Sequence, residues 1–217
     1  MKKYQVILFD LDGTLSDPKV GITKSVQYAL MKMGLDVPDL DELEGFIGPP
    51  LQESFANVYN FDKKQTQAAL VFYRERFKEK GMFENELYPE IPLLLQELSK
   101  QGLTLAVATS KPTVFAVEIL KHFKLEQYFD LIVGSNLDGT RTAKSEIIQF
   151  ILEEYPSHQH EDFIMIGDRK HDIIGAHNTE IDSIGVTYGY GSLQELTLAE
   201  PTYLVRSVHE LREFLMR

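Results

Sequence analysis

There is no cysteine among the 217 residues of this chain. Disulfides, thiolate nucleophiles and Cys-ligated zinc are therefore excluded. Basic residues are also scarce, with 22 Lys and Arg against 33 Asp and Glu, a formal net charge of -11. Nucleic acid and anionic membranes attract positive surface, so neither is expected as the main partner. An acidic protein acting on an anionic substrate needs a metal ion or placed cations to make one spot locally positive. No apolar run approaches the ~20 residues that a bilayer span requires. Only six residues separate Lys2-Lys3 from Asp10, too few for the apolar core of a signal peptide. The expected location is the cytoplasm.

What is present is an ordinary globular composition, 43% hydrophobic and 25% charged, enough for one large domain or a core with a modest insertion. Short, nearly continuous apolar runs occur at Tyr4 to Phe9, Leu103 to Ala108, Asp130 to Val133, Phe163 to Ile166, Ile181 to Val186 and, more weakly, Tyr203 to Val205. Such runs predict parallel strands covered on both faces. Between them, Ile91 to Lys100, Thr113 to His122, Ser145 to Glu154 and Ile173 to His177 carry helical periodicity, and Ser207 to Glu210 fits a capping box. The expected fold class is α/β, a Rossmann-like parallel sheet with right-handed crossovers. Residues 16–84 break the rhythm and read as helix throughout: Pro18 to Met33, Leu51 to Val58, and a run from Asp62-Lys-Lys-Gln65 to Lys80. A crossover needs only ~10–15 residues. The expectation is thus an α/β core of residues 1–15 and 85–217 with an all-helical cap of residues 16–84, a lid over the end of the sheet.

Ligands of open parallel sheets bind beyond the carboxyl ends of the strands. Those ends carry Asp10-Leu-Asp12-Gly13-Thr14, Thr109-Ser110-Lys111, Lys144 at a helix start, and Gly167-Asp168-Arg-Lys-His-Asp172. Carboxylates, hydroxyls and an amine on one edge suit phosphoryl transfer. A carboxylate attacking a phosphate dianion needs a bridging divalent cation. Mg²⁺ prefers hard oxygen ligands, which Asp10 and Asp168 supply, with Asp172 placed to hold a coordinated water. Asp12, two positions past the nucleophile, can protonate the leaving oxygen and then deprotonate water. Gly13 lets the backbone turn toward phosphate oxygens. Thr109 or Ser110 offers a hydroxyl and an N–H at a helix N-terminus, and Lys144 adds positive charge.

These motifs, in this order, resemble the haloacid dehalogenase superfamily: Asp10-x-Asp12-Gly13-Thr14, Thr109, Lys144 and Gly167-Asp168-x-x-x-Asp172. The resemblance spans essentially the whole chain, with the insertion placed as in the branch with a helical cap. It implies that Asp10 becomes an aspartyl-phosphate, that Asp12 is the acid/base, and that Asp10, the Asp12 backbone carbonyl and Asp168 ligate Mg²⁺. The superfamily's dehalogenases lack an acid at the position of Asp12, so the chain is grouped with phosphatases and phosphomutases. Phe46-Ile-Gly48-Pro-Pro-Leu51, Ala108-Thr-Ser-Lys-Pro112, Leu137-Asp-Gly-Thr-Arg141 and Tyr188-Gly-Tyr-Gly191 are similar to phosphoglycolate phosphatase-like and 5′-nucleotidase-like members. Glu90 stands where many relatives have Gly, and Ala143-Lys144-Ser145 lacks a Pro that often follows the lysine.

The function expected is a Mg²⁺-dependent phosphomonoesterase for a small phosphorylated metabolite, a nucleoside 5′-monophosphate or a phosphoglycolate-like ester. A phosphomutase or pyrophosphatase would use the same core. A phospho-signalling receiver also joins an acceptor Asp to Mg²⁺, a hydroxyl and a Lys, but it is shorter and lacks a cap. An EF-hand is excluded by the placement of Gly13. Leu137 to Thr140 repeats Leu11 to Thr14 with Asn136 in place of the nucleophile, and reads as a turn. Lys111, Arg141, Arg169 and His171 read as supporting or solvated side chains. Phe46, Gly48 and Leu51, in a loop fixed by Gly and Pro, are the expected substrate-selecting residues.

Overall fold

The computed structural model describes residues 4–216. The chain begins with β1 (Val6–Phe9) and a short β2 (Ser16–Asp17), then runs through helices α1 (Lys19–Lys32), α2 (Leu51–Tyr59) and α3 (Lys63–Glu79) to a short β3 (Glu86–Leu87). Helix and strand alternate from there: α4 (Ile91–Lys100), β4 (Thr104–Pro112), α5 (Thr113–His122), β5 (Leu131–Ser135), α6 (Lys144–Glu154), β6 (Phe163–Gly167), α7 (Lys170–Asn178), β7 (Asp182–Val186), α8 (Leu193–Leu198), β8 (Tyr203–Val205) and α9 (Val208–Leu215). Two compact units result. The larger takes the chain up to Asp17 and again from Leu87 onward; the smaller is Pro18–Glu86. Each boundary falls two residues beyond the one expected from sequence.

The larger unit is built on a six-stranded sheet in the order β5-β4-β1-β6-β7-β8, with parallel neighbours throughout. β1 lies inside the sheet, and all four of its residues are buried. That is why it reads as a continuous apolar run: a strand covered on both faces has no polar side. One face packs Val6, Leu8, Ala106, Ala108 and Met165 against Ile147, Ile148 and Ile151 of α6. On α4, Ile91, Leu94, Leu95 and Leu98 are fully buried, one stripe at helical spacing. Each such side chain contributes ~1.5–3 kcal/mol by leaving water. Just before α4, Glu90 adopts φ +69°. Glycine would occupy such a left-handed position without the ~1–2 kcal/mol cost a side chain brings. β4 continues to Pro112, beyond the expected end at Ala108, with a shift of register against β5 between the two.

The smaller unit packs α1, α2 and α3 with two 3-10 turns, Asp41–Phe46 and Gly81–Phe83. Asp62 caps α3 reciprocally: Gln65 N–H donates to Asp62 Oδ1 at 2.8 Å, and Asp62 N–H donates to Gln65 Oε1 at 3.0 Å. Its interior holds Val26, Leu30, Phe46, Phe55, Tyr73 and Phe77. Phe46, expected as a substrate contact, is only 2% exposed, and its ring centre lies 5.0 Å from that of Phe55. Its side chain belongs to the interior of this unit, because a large ring at the end of a 3-10 turn gains more from apolar neighbours than from water. Gly48 holds φ +101° in the loop that follows, and Leu51 is half-buried at the start of α2.

Candidate active site

The strand register brings the acidic motifs together. Phe9 pairs with Val107 on one side and with Ile166 on the other. Asp10 therefore emerges level with Ala108 and Gly167, one residue short of Thr109 and Asp168. Asp10, Asp12, Asp168 and Asp172 are all buried. Carboxylate oxygens of Asp10, Asp168 and Asp172 lie within 4.8 Å of one another.

Lys144, the first residue of α6, reaches into this group. Its Nζ lies 3.1 Å from Asp10 Oδ1 and 2.8 Å from Asp172 Oδ1, and it donates to the Ala108 carbonyl at 2.8 Å. Asp10 Oδ1 also accepts the Leu11 N–H at 2.7 Å, so the carboxylate is held in one orientation. Asp172 accepts the Arg169 N–H through Oδ2 at 3.0 Å, closing the first turn of α7. On the other side, Lys111 Nζ lies 2.7 Å from Asp12 Oδ2. Asp12 Oδ1 is buried with no hydrogen-bond partner among the described residues.

Four carboxylates and two ammonium groups share this small volume. Burial pushes Asp12 above the ordinary carboxylate range, with the Lys111 ammonium opposing. Burial, then the neighbouring charges of Asp172 and Asp10, push Asp168 well up. Asp172 is raised by burial too, with Lys144 pulling the other way. Lys144 itself is raised: burial would lower it, and Asp10 and Asp172 outweigh that. Two more carboxylates than ammonium groups leave a demand for positive charge, met by protons or by a divalent cation. Hard oxygen donors in surplus fit Mg²⁺ or a similar ion and would not suit a soft metal.

Thr109 is buried within β4, and its Oγ1 accepts the Lys111 N–H at 3.3 Å. The expected helix N-terminus at Thr109 and Ser110 is absent, since α5 begins only at Thr113. The extension of β4 replaces it, and the Ser110 carbonyl accepts Ser135 Oγ at 2.9 Å. Leu137 to Thr140 is a turn, in which Asp138 Oδ1 accepts both the N–H and the hydroxyl of Thr140. Arg169 forks onto Glu195, and the Arg141 guanidinium lies over the Phe150 ring.

Sequence reasoning missed the contribution of the loop after β7. Tyr190 N–H donates to Asp168 Oδ2 at 2.7 Å, Tyr188 Oη donates to the Thr14 carbonyl at 3.0 Å, and Tyr190 Oη donates to Asp17. This loop fastens both the acidic loop after β6 and the one after β1. The rule that ligands gather beyond strand ends applies to β7 as well, and would have found it.

Comparison with known proteins places this arrangement. A family model described as haloacid dehalogenase-like hydrolase matches residues 7–186. A 5′-nucleotidase of Pseudomonas aeruginosa is 49% identical over 98% of this chain and 96% of its own length. A tyrosine-protein kinase, PtkA, of Mycobacterium tuberculosis is 36% identical over 97% of this chain and 72% of its own. Phosphoglycolate phosphatases are also among the relatives, at lower identity. The crystal structure of a predicted phosphatase from Clostridium acetobutylicum superposes with a TM-score of 0.95 at 51% identity, covering 99% of both chains. With the family match running from β1 through the insertion and every acidic motif to the end of β7, this chain belongs to the haloacid dehalogenase-like hydrolases.

Proposed function

We propose that the chain is a Mg²⁺-dependent phosphatase that hydrolyses small phosphomonoesters through an aspartyl-phosphate on Asp10, nucleoside 5′-monophosphates being the first substrates to try. One observation carries the reading: two aspartates two residues apart stand in different environments. Asp10 is held by Lys144 and the Leu11 N–H, which fix its carboxylate in the orientation a nucleophile needs. Asp12 is raised by burial and has an oxygen without a partner among the described residues, suited to carry a proton. Neighbouring carboxyl groups set in unlike surroundings can divide the chemical roles between them. The substrate class is supported by the 5′-nucleotidase relative.

In the first step a carboxylate oxygen of Asp10 bonds to phosphorus while the ester P–O bond breaks, and Asp12 gives its proton to the departing oxygen. In the second, Asp12 takes a proton from water as the water oxygen bonds to phosphorus and the Asp10–phosphorus bond breaks. Lys144 and the Thr109 hydroxyl serve the transferring group, with Gly13 and Ser110 offering backbone to its oxygens. Asp10, Asp168 and the Asp12 carbonyl would hold Mg²⁺, with Asp172 acting through a bound water. Bound there, the ion supplies the charge neutralisation that lets a carboxylate approach a phosphate dianion.

Phosphate release from a panel of esters tests this, with Asp10→Asn as control. Steady, Mg²⁺-dependent release by wild type and less than about a tenth of that rate in Asp10→Asn are expected. One stoichiometric phosphorylation, or transfer to a tyrosine with no free phosphate, would overturn the hydrolase reading.

A further inference from the structure

The Asp12 carboxylate is held by a residue that has no part in the chemistry described so far, Lys111. Lys111 lies on the extension of β4 beyond its pairing with β1, where the register against β5 shifts between Ala108 and Pro112. Irregularities of this kind re-aim side chains beside active sites. The extension is packed in place: a Cβ on Gly134 would stand 2.1 Å from the Lys111 carbonyl oxygen. The Lys111 N–H is tied to Thr109 Oγ1. The side chain is 5% exposed and places Nζ 2.7 Å from Asp12 Oδ2.

The two oxygens of Asp12 are therefore inequivalent. An ammonium donates hydrogen bonds and accepts none, so an oxygen facing it at 2.7 Å is disfavoured as the site of an O–H. Oδ1 is buried and meets no partner among the described residues. A buried carboxylate oxygen left in that state is costly unless something else comes to it. We propose that Lys111 is a positioning residue for proton transfer, holding Oδ2 of Asp12 so that Oδ1 alone gives the proton to the leaving oxygen and later takes one from water. This rests on the reading of Asp12 as acid/base. Lys111 touches neither ester nor phosphorus in this scheme; it acts through Asp12.

The consequence is selective. An ester with a strongly acidic leaving phenol departs without a proton, whereas an alkyl or nucleoside ester needs one. Lys111→Met removes the ammonium and retains most of the side-chain volume. It should lower the phosphorylation rate on an alkyl ester by about tenfold to a hundredfold, part of the ~10²–10⁴ that proton transfer supplies. Formation of phosphoenzyme from the acidic aryl ester, read by rapid quench and mass spectrometry, should change by less than about threefold. Phosphoenzyme should then persist, because attack by water also needs Oδ1. Lys111→Arg should recover part of the alkyl-ester rate.

Asp12→Asn, run on the same esters, separates the two layers of the argument. If Asp12→Asn lowers the alkyl and aryl steps by one common factor, the acid/base reading itself fails. If Asp12→Asn is selective and Lys111→Met is not, the reading of Asp12 stands and the role of Lys111 is structural only. Should Lys111→Met not fold by circular dichroism, Lys111→Gln carries the same comparison.

Discussion

A Cβ on Gly13 would stand 2.2 Å from Oδ2 of Asp168. Gly13 also holds φ at +83°, a conformation that side chains rarely adopt. The turns after β1 and β6 are thus packed too closely for a methyl group between them. Gly13→Ala should drive the Asp168 carboxylate away from Asp10. A misplacement of about 1 Å in a reacting constellation costs roughly 10²-fold, so kcat for phosphate release should fall by about that factor or more. A variant retaining wild-type kcat would show that the two turns can separate without harm.

The crowded carboxylates predict how the metal-free protein responds to pH and to Mg²⁺. Asp12, Asp168 and Asp172 are raised in the folded state, burial being the largest cause for each. A carboxyl with a raised folded value binds more protons folded than unfolded between the two pKa values, so stability falls as pH rises through that window. In EDTA the protein should therefore gain stability as pH drops from neutrality toward the unfolded value of about 3.9, until other groups intervene. At neutral pH, Mg²⁺ at about a hundred times its dissociation constant should add about 2.7 kcal/mol. Asp168→Asn removes one of the crowded charges; it should melt higher than wild type in EDTA and gain little from Mg²⁺. Equal Mg²⁺ shifts in the two proteins would remove Asp168 from the ligand set.

Much of the larger unit was legible because buried parallel strands write themselves as apolar runs and their ends carry the chemistry. Phe9 followed by Asp10, and Ile166 followed by Gly167-Asp168, needed only that rule. Lys111 was not legible in its role. Its partner lies far away in sequence, and the strand was expected to stop at Ala108, since a register shift leaves no periodic trace. The grip of Tyr190 on Asp168 was hidden for the same reason, being a hydrogen bond from a backbone N–H to a side chain 22 residues away. Phe46 misled because a ring in a Gly- and Pro-rich loop can point either way, and periodicity is silent on which.

Phe46 now carries a different prediction. Its ring packs on Phe55 and lies 6.2 Å, centre to centre, from Tyr59. Removing a buried Phe side chain costs ~3–5 kcal/mol through lost burial and the cavity left behind. Phe46→Ala should destabilise the smaller unit by that amount, read as early urea unfolding and faster hydrogen exchange across residues 18–86. Leu51→Ala, at a half-buried position, should cost less. A loss below about 1 kcal/mol for Phe46→Ala would show that the ring is no part of that core.

Within the same unit, Glu84 and Arg76 set a dependence on acid. Arg76 Nη1 lies 2.8 Å from Glu84 Oε2 and Nη2 lies 3.0 Å from Oε1, a two-pronged pair joined by Lys24 at 3.7 Å. The Glu84 carbonyl also accepts the Gly21 N–H at 3.0 Å, so this residue ties the chain after α3 to α1. The Arg76 guanidinium holds the Glu84 carboxyl below its usual range, with burial opposing. A depressed folded value means that the contribution is fully present above the unfolded value of about 4.3, and is lost as pH falls through the folded one. At neutral pH, Glu84→Gln should cost on the order of 1 kcal/mol, the upper range for a pair that is partly exposed. The gap between wild type and Glu84→Gln should close as pH falls below the unfolded value of about 4.3 and through the folded one, because wild type then loses the charge that the variant already lacks. Urea unfolding across that pH series measures the gap directly. A gap that stays constant from neutral to acid pH would mean that Glu84 acts through shape or its backbone, and that its charge contributes nothing.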